Sequence, residues 1–410
     1  GLTPIIDGNV TIVIVAAILM GAFGPTDGFW AKVFNPIFFW FGPSTAGTIY
    51  SFGFTLLTSV LLNFVFGVWA TRVMIRGAVH FKPLRKAWLF GGRKDGGADF
   101  KTPSINFIGN RKKFYTFSCA LLALVLVFCG VFGVKMDVEF KGGSMITLAY
   151  EGDADLNDLK STISTELNKS NLTLQTGSDI SGNQTLTVTL PGSDTLTTEE
   201  LDGLLATLNE QYPDNAFVQN EVSNVDATIG KEFMLKSIVA LVAACVLILL
   251  YVAYRFRRIG GLKAGSTAIV ALLHDMLVVF GVFVILRIPL NGNFIAALLT
   301  ILGYSINDTV VIYDRIRENS ALYSKKQLSL AELVNLSVNQ SFARSLMTSI
   351  TTCLALGVVC IISVIYRLDS IYSFAFPLLF GMVSGVYSTI CIATPLWVDW
   401  KTKKKAAKQA

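Results

Sequence analysis

Charged side chains are scarce in this chain. Only 15% of its 410 residues are Asp, Glu, Lys or Arg, whereas soluble domains carry about 25%. Hydrophobic residues make up 52% of the sequence. A chain with this balance cannot present enough polar surface to water, so the composition predicts an integral membrane protein.

The sequence also lacks the residues of most enzymatic and metal sites. It has two histidines, and its six cysteines all lie in apolar runs, where cysteine is usually a small buried hydrophobe. We find no Gly-rich nucleotide loop, catalytic triad or metal-ligand cluster. The net charge of +6 comes from short basic segments beside apolar runs, which is typical of membrane proteins. We therefore predict no enzyme activity, no cofactor, no metal and no nucleic-acid partner. The expected partner of the apolar surface is the lipid bilayer.

The apolar runs predict about eight membrane spans and one polar domain. The predicted fold is a polytopic α-helical membrane protein with one extracytoplasmic ferredoxin-like α/β domain, because the polar region reads β-α-β-β-α-β. The aromatic segment 24–47 suits an interfacial or re-entrant segment, and a loop is equally compatible. The predicted division is two spans in 1–75, a basic linker in 76–113, one span in 114–135, the α/β domain in 136–232, five spans in 233–398 and a basic tail in 399–410.

The positions of Lys and Arg predict the topology. The basic segments are 76–113, 255–263, 315–344 and the C-terminal tail, whereas the polar domain is mainly acidic. With eight spans, these alternate as the positive-inside rule requires. We predict a multi-pass protein of the bacterial cell membrane with a cytoplasmic C-terminus and the α/β domain outside.

Polar residues inside the apolar runs are the candidate site. Asn307 and Asp308 lie inside one run, and Asp275 lies roughly 20 Å into another, next to His274. A carboxylate at the centre of a membrane helix costs about 2.5–3.5 kcal/mol, so such residues usually serve a function. The Asp308 carboxylate should be either neutral or paired with a cation. Arg344, at the start of the following span, is its natural partner.

A second interpretation remains open for these residues. Asn307 and Asp275, with the serines and threonines near them, could instead form polar contacts that hold helices together. Asp7 lies at the entry of the first span, where contact with water is enough to explain its presence.

The proton-relay candidates in the sequence are Asp308, Arg344, Asp275 and Asn307.

Four motifs resemble those of a known family. The stretch GYSINDTVVIYDRIREN at 303–319 resembles the signature of the SecF protein-export membrane family. Residues His274-Asp275, the turn Phe140-Lys-Gly-Gly143 and the stretch SFARSLMTS at 341–349 also match in order and spacing. Residues 1–75 resemble the last two spans of SecD, so the whole resembles the C-terminal half of a fused SecDF protein of the resistance-nodulation-division superfamily.

The resemblance implies an auxiliary subunit of the Sec protein translocase that uses the proton motive force to promote export. Its implied partners are the Sec translocon channel, the associated membrane insertase and an unfolded secretory polypeptide. The family's membrane aspartate maps onto Asp308 and its arginine onto Arg344, both in proton translocation. Two departures are Glu139, where the family usually has Asp, and segment 24–47, which looks like an insertion. We also expect a longer parent protein, because the first SecD spans and their aspartate are absent.

Two other functions compete with this one. Related exporters of lipids or small molecules share spans and intramembrane carboxylates. A non-conducting scaffold that only holds the translocon together would tolerate loss of the Asp308 charge, whereas a proton carrier would not.

Overall fold

The computed structural model describes residues 2–42, 47–86, 105–152, 154–169, 172–178, 184–191, 196–323, 328–366 and 368–406. Within these ranges, eight helical stretches are long and apolar enough to cross a membrane. They are Ile5–Phe23, Ile49–His80, Arg111–Phe132, Ala227–Arg255, Gly261–Ile285, Gly292–Leu322, Leu330–Ile365 and Ile371–Thr402. The predicted number of spans is therefore confirmed. The second span extends to His80, into the segment predicted as a linker, and residues 87–104 of that linker lie outside the described ranges.

The N-terminal part contains two spans and a short helix between them. Its helices are α1 (Leu2–Phe23), α2 (Phe29–Phe38), α3 (Gly47–Leu62) and α4 (Thr71–His80), with a π-helical turn at Asn63–Ala70 joining α3 to α4. Helix α2 lies in the segment that the sequence left open between an interfacial segment and a loop. Its Phe34 packs against the core, whereas Phe29 is 70% exposed. An apolar helix with exposed aromatic rings fits the membrane–water interface.

The third span, α5 (Arg111–Phe132), leads into the polar domain through the single turn α6 (Val138–Lys141). The domain comprises β1 (Gly143–Tyr150), α7 (Leu156–Glu166), β2 (Thr173–Ser178), β3 (Gln184–Pro191), α8 (Thr198–Gln211) and β4 (Val218–Val225). All strand pairs are antiparallel in the order β2-β3-β1-β4. This is the predicted ferredoxin-like arrangement.

The domain has a hydrophobic core of its own, separate from that of the membrane helices. Alternate residues of β1 and β3, such as Ile146 and Val188, pack against Ile163 of α7 and Leu204 of α8. Helix α8 begins with a capping box between Thr197 and Glu200. The hydrogen bonds from Thr197 hold the pKa of the Glu200 carboxyl below its usual value.

The remaining helices form the main membrane bundle. They are α9 (Ala227–Arg255), α10 (Gly261–Ile285), α11 (Gly292–Leu322), α12 (Leu330–Ile365), α13 (Asp369–Ser388) and α14 (Thr394–Ala406), with a π-helical turn at Thr389–Ala393. Helix α11 packs against α1, α9, α10, α12 and α13 and is buried over most of its length. It is the central helix of the bundle.

Two glycines of α13 allow its close approach to α11. A β-carbon at Gly381 would overlap the side chain of Ile301, and one at Gly385 would lie 3.1 Å from Ser305. Small residues at such spacing let membrane helices pack closely. The glycine pair therefore places the inner part of α13 against the segment of α11 that carries the candidate site.

Candidate functional site

The N-terminal end of α11 is fixed by side chains from two places in the chain. Asn291 is its N-cap, and Glu139 of α6 accepts a 2.6 Å hydrogen bond from the Gly292 backbone N–H through Oε2. The free N–H groups and the dipole at a helix N-terminus favour such a carboxylate. Burial nevertheless raises the pKa of Glu139 above its usual value, and the bond from Gly292 opposes this rise. Glu139, the departure from the family pattern, thus connects α6 to the helix that bears Asp308.

A short backbone pairing reinforces this connection. The Leu290 N–H donates to the Lys135 carbonyl over 2.9 Å, and the Asp137 N–H donates to the Leu290 carbonyl over 3.0 Å. β1 begins at Gly143, only six residues after Asp137, and α11 begins at Gly292, two residues after Leu290. The backbone pairing of Asp137 with Leu290 therefore lies close to both the strand and the helix. A displacement of the polar domain relative to the bundle would therefore reach α11 directly.

Asp308 lies on the face of α11 that meets α12 and α13. Its side chain lines a small cavity of about 10 Å³ together with Ser305, Ser349 and Gly385. This volume is about that of one water molecule, and its hydroxyl and carboxylate groups could hold one. The carboxylate thus shares a small and mostly apolar cavity with the hydroxyl groups of Ser305 and Ser349.

Arg344 is close enough for its positive charge to act on the Asp308 carboxylate, and the hydroxyl groups of Ser345 and Ser349 lie near that carboxylate as neutral hydrogen-bond donors. Arg344 is exposed, and it does not form a close ion pair with Asp308. Ser345 Oγ is buried and has no hydrogen bond of normal geometry within the described ranges. The predicted direct or water-mediated approach of Asp308 and Arg344 stays a prediction.

Asp275 of α10 is fully buried and is the most heavily hydrogen-bonded carboxylate of the site. Ser384 donates to its Oδ1 over 2.6 Å, and Ser305 and Ser388 each donate to its Oδ2 over 2.7 Å. Nδ1 of His274 lies 3.3 Å from Oδ1. Three hydroxyl donors from α11 and α13 thus offset part of the cost of placing this carboxylate in the bundle.

Ser305 connects the two carboxylates. Its hydroxyl donates to Asp275, and its side chain also lines the cavity that contains Asp308. A water molecule in this cavity could bridge Ser305 and Asp308, because both present oxygen atoms to it. Of the four predicted residues, the structure therefore brings together Asp308 and Asp275, through Ser305.

Asn307 faces a different neighbour. It packs against the backbone of α1, where a β-carbon at Gly8 would overlap its amide group. This contact agrees with the alternative interpretation of Asn307 as a residue of helix packing.

The interpretation of Asp7 as a solvated residue is wrong. Asp7 is 5% exposed, and Arg255 Nε of α9 lies 2.9 Å from both of its carboxylate oxygens. Tyr251 donates a further hydrogen bond of 2.9 Å to Asp7 Oδ1. The position in the first span suggested contact with water, but α9 covers the residue and supplies its counter-charge.

Sequence reasoning also missed Ser384 and Ser388 as ligands of Asp275. A signal was available, because the two serines are four residues apart and therefore share one face of an apolar helix. Gly381 and Gly385 lie on nearly the same face of α13 as these serines, and they indicate that this face packs closely against another helix.

Comparisons with known proteins agree with this architecture. The family model described as protein export membrane protein SecD/SecF, C-terminal, matches residues 205–403. Protein translocase subunit SecF of Calditerrivibrio nitroreducens is 32% identical over 303 residues, which cover 74% of this chain and 96% of the relative. The chain belongs to the SecD/SecF family. The predicted family is thereby confirmed.

SecDF proteins match nearly the whole chain. Protein translocase subunit SecDF of Bacillus subtilis is 28% identical, and the match covers 98% of this chain and 51% of the relative. The crystal structure of SecDF from Thermus thermophilus, described as a translocon-associated membrane protein, matches with a TM-score of 0.73 and 27% identity over 98% of this chain and 48% of that one. SecDF in its super-membrane-facing form matches with a TM-score of 0.62 and 27% identity.

The chain spans about half the length of these SecDF proteins. The SecDF match covers 98% of this chain and so includes the two N-terminal spans, whereas the SecF match covers 74% of it. This is the pattern of a SecDF-type protein. Together with the eight apolar helices, it identifies a multi-pass bacterial membrane protein.

Proposed function

We propose that this chain is the C-terminal half of a SecDF-type auxiliary subunit of the Sec protein translocase, and that it uses the proton motive force to promote protein export. The observation that carries the proposal is the Asp308 carboxylate, which lines a water-sized cavity together with Ser305 and Ser349 inside an apolar bundle. A carboxylate so placed can bind and release a proton when water reaches it. The names of the SecF and SecDF relatives support the translocase role.

In this proposal Asp308 is the proton carrier and Arg344 its counter-charge. Protonation would neutralise Asp308 and weaken its attraction to Arg344, which favours a different packing of α11 against α12. Asp275 and Ser305 would provide a fixed polar wall and a hydrogen-bonded route toward the cavity. The link from Glu139 to Gly292 would pass a movement of α11 to the polar domain.

The proposed partners are the Sec translocon channel, the associated membrane insertase and an unfolded secretory polypeptide. Lipid or small-molecule export is the competing function, and no contact in the described bundle favours it. Transport measured with and without a proton gradient distinguishes a scaffold without proton transfer from a proton carrier.

The test is transport of a secretory precursor into inverted membrane vesicles that contain the Sec translocase and a full-length SecDF-type protein carrying this chain. We expect transport to rise when a proton gradient is imposed and to lose this increment when a protonophore is added. Vesicles without the protein should show little of the increment. Equal stimulation by the protein with and without the gradient would support the scaffold.

We further propose that the C-terminus and the basic segments lie in the cytoplasm and the α/β domain lies outside. Glu210 of α8 and Arg257 after α9 are both exposed and lie at opposite ends of helix α9. They are therefore suitable as two positions for cysteine labelling, one for each side of the membrane. In a cysteine-free background, Glu210→Cys should react with an impermeant thiol reagent in spheroplasts, and Arg257→Cys should react only after lysis. The reverse pattern would overturn the proposed orientation.

A further inference from the structure

His274 is a buried titratable side chain to which the proposed function gives no role. It lies on α10 next to Asp275 and is 4% exposed. Its Nδ1 lies 3.3 Å from Asp275 Oδ1, whereas its Nε2 is buried without a hydrogen bond to any group in the described ranges. A buried ring nitrogen without a partner is uncommon in a well-packed interior, so this atom requires an explanation.

The surroundings of Nδ1 determine which nitrogen of the neutral ring carries the proton. Nδ1 faces two oxygen atoms, Asp275 Oδ1 at 3.3 Å and Ser384 Oγ at 3.4 Å. The Ser384 hydroxyl donates its proton to Asp275 over 2.6 Å, so both oxygen atoms present lone pairs to Nδ1. Nδ1 must therefore carry the proton, and Nε2 is left with a free lone pair.

The hydrogen bonds of Asp275 leave no free position for a proton on the carboxylate itself. A carboxylate has about four acceptor sites. Ser384 and His274 occupy those of Oδ1, and Ser305 and Ser388 occupy those of Oδ2. A proton added to Asp275 would displace one of these donors, whereas a proton added to Nε2 displaces none.

A positive charge on His274 would also balance the charge of Asp275. The Asp275 carboxylate is fully buried, and within the described ranges no lysine or arginine forms an ion pair with it. An unbalanced buried charge is costly, and a counter-charge offsets part of that cost. A carboxylate that is bonded to one ring nitrogen stabilises the imidazolium that forms when the other nitrogen takes up a proton.

The other titratable groups around the pair come from the helices packed against α10. They are Tyr387 of α13, with Cys119 of α5 and Cys391 of the π-helical turn near it, and Asp308 of α11, which shares a cavity with Ser305. The ring of Tyr387 is centred 5.9 Å from that of His274. Lys236 of α9 donates instead to a backbone carbonyl after α2, and Asp399 of α14 pairs with an arginine of α5. Among the described residues, Asp275 is thus the carboxylate that contacts His274.

We propose that His274 is a proton-binding residue of the bundle, with Nε2 as the site of protonation and Asp275 as its fixed counter-charge. The proton adds to the lone pair of Nε2, no other bond forms or breaks, and the pair changes from singly negative to neutral. Ser305 donates to Asp275 and lines the cavity of Asp308, so this change would alter the electrostatic potential at Asp308. A part for His274 in gradient-driven export rests on the proposed function, whereas proton binding itself does not.

The test is nuclear magnetic resonance of the histidine ring nitrogens in a full-length SecDF-type protein that carries this chain, held in lipid nanodiscs. His274→Gln identifies the His274 signals by difference. His80→Gln is the matched control, because His80 is the other histidine of this sequence and is exposed. If His274→Gln does not fold, selective labelling of Leu–His pairs assigns the signals, since Leu273 precedes His274 and Val79 precedes His80.

We expect the Nδ1–H tautomer at high pH, and a ring protonated at both nitrogens as the pH is lowered across the range from about 8 to 5. His80→Gln should leave these signals unchanged. Asp275→Asn, which removes the counter-charge, should lose the doubly protonated form over the same range. A ring that stays neutral in the unaltered protein, or an Nε2–H tautomer at high pH, would overturn the proposal.

Infrared difference spectra of the same samples report on the carboxylate. A carboxylic-acid band that appears on acidification and is absent from Asp275→Asn would assign the proton to Asp275 and would also overturn the proposal. In the vesicle assay, His274→Gln should lose most of the gradient-dependent increment and His80→Gln should retain it. A ring that titrates while His274→Gln exports normally would refute only the part of His274 in export. The spectra do not depend on transport, so their failure is distinct from a failure of the proposed function.

Discussion

Replacing Asp308 with Asn is expected to abolish the part of protein export that depends on the proton gradient. Asparagine is nearly isosteric with aspartate and keeps a polar side chain in the cavity that Ser305 and Ser349 also line. It cannot take up or release a proton. In a full-length SecDF-type protein, the variant should therefore fold and associate normally while the gradient-dependent increment falls to that of vesicles without the protein.

The size of the effect follows from the energy of the gradient. A proton crossing about 100 mV releases roughly 2.3 kcal/mol, which biases a two-state packing of helices by roughly fiftyfold. Asp308 lies between α11, α12 and α13, where its charge acts on Arg344. Removing the titratable group removes the whole coupling, so the expected loss is complete rather than partial.

The measurement is precursor transport into inverted vesicles with and without a protonophore. Glu318→Gln is a matched control, because it removes a carboxylate from an exposed part of the same helix, where its ion-pair partner among the described residues is Arg315. Asp308→Glu should restore part of the increment, since it retains a titratable group. Normal gradient-dependent export by Asp308→Asn would show that Asp308 only holds helices together.

Much of the fold could be predicted because it depends on patterns that are local in the chain. Alternating apolar residues such as Ile146 and Leu148 are a local pattern that indicates a strand. Apolar runs of sufficient length marked the spans. The same local contrast singled out Asp308, because an acidic residue stands out within an apolar run.

The partners of the site residues were harder to predict, because they come from distant parts of the chain. The three serines that donate to Asp275 lie on α11 and α13, and their contact depends on the approach of Gly381 and Gly385 to α11. Asp7 was misread for the same reason. Its counter-charge, Arg255, lies 248 residues away along the sequence.

Replacing Asp7 with Asn is expected to lower the stability of the bundle by about 3 kcal/mol, the lower end of the cost of removing one partner of a buried ion pair. Arg255 would lose the negative charge that faces its Nε, and a single amide oxygen would have to accept from both Arg255 and Tyr251. The side chains of Asp7 and Arg255 are 7% and 21% exposed, so water replaces little of the interaction. Since Asp7 lies on α1 and Arg255 on α9, the loss should loosen α1 first.

The measurement is unfolding of the detergent-solubilised protein, together with accessibility of a cysteine placed on α1. The double variant Asp7→Asn/Arg255→Gln leaves no unpaired charge, so its loss should be smaller than the sum of the two single losses. Glu318→Gln, which breaks the exposed pair with Arg315, should cost at most about 1 kcal/mol. If Asp7→Asn were no more harmful than Glu318→Gln, the ion pair would contribute nothing to joining α1 to the bundle, and the apolar packing of α1 against α3 and α11 would hold it instead.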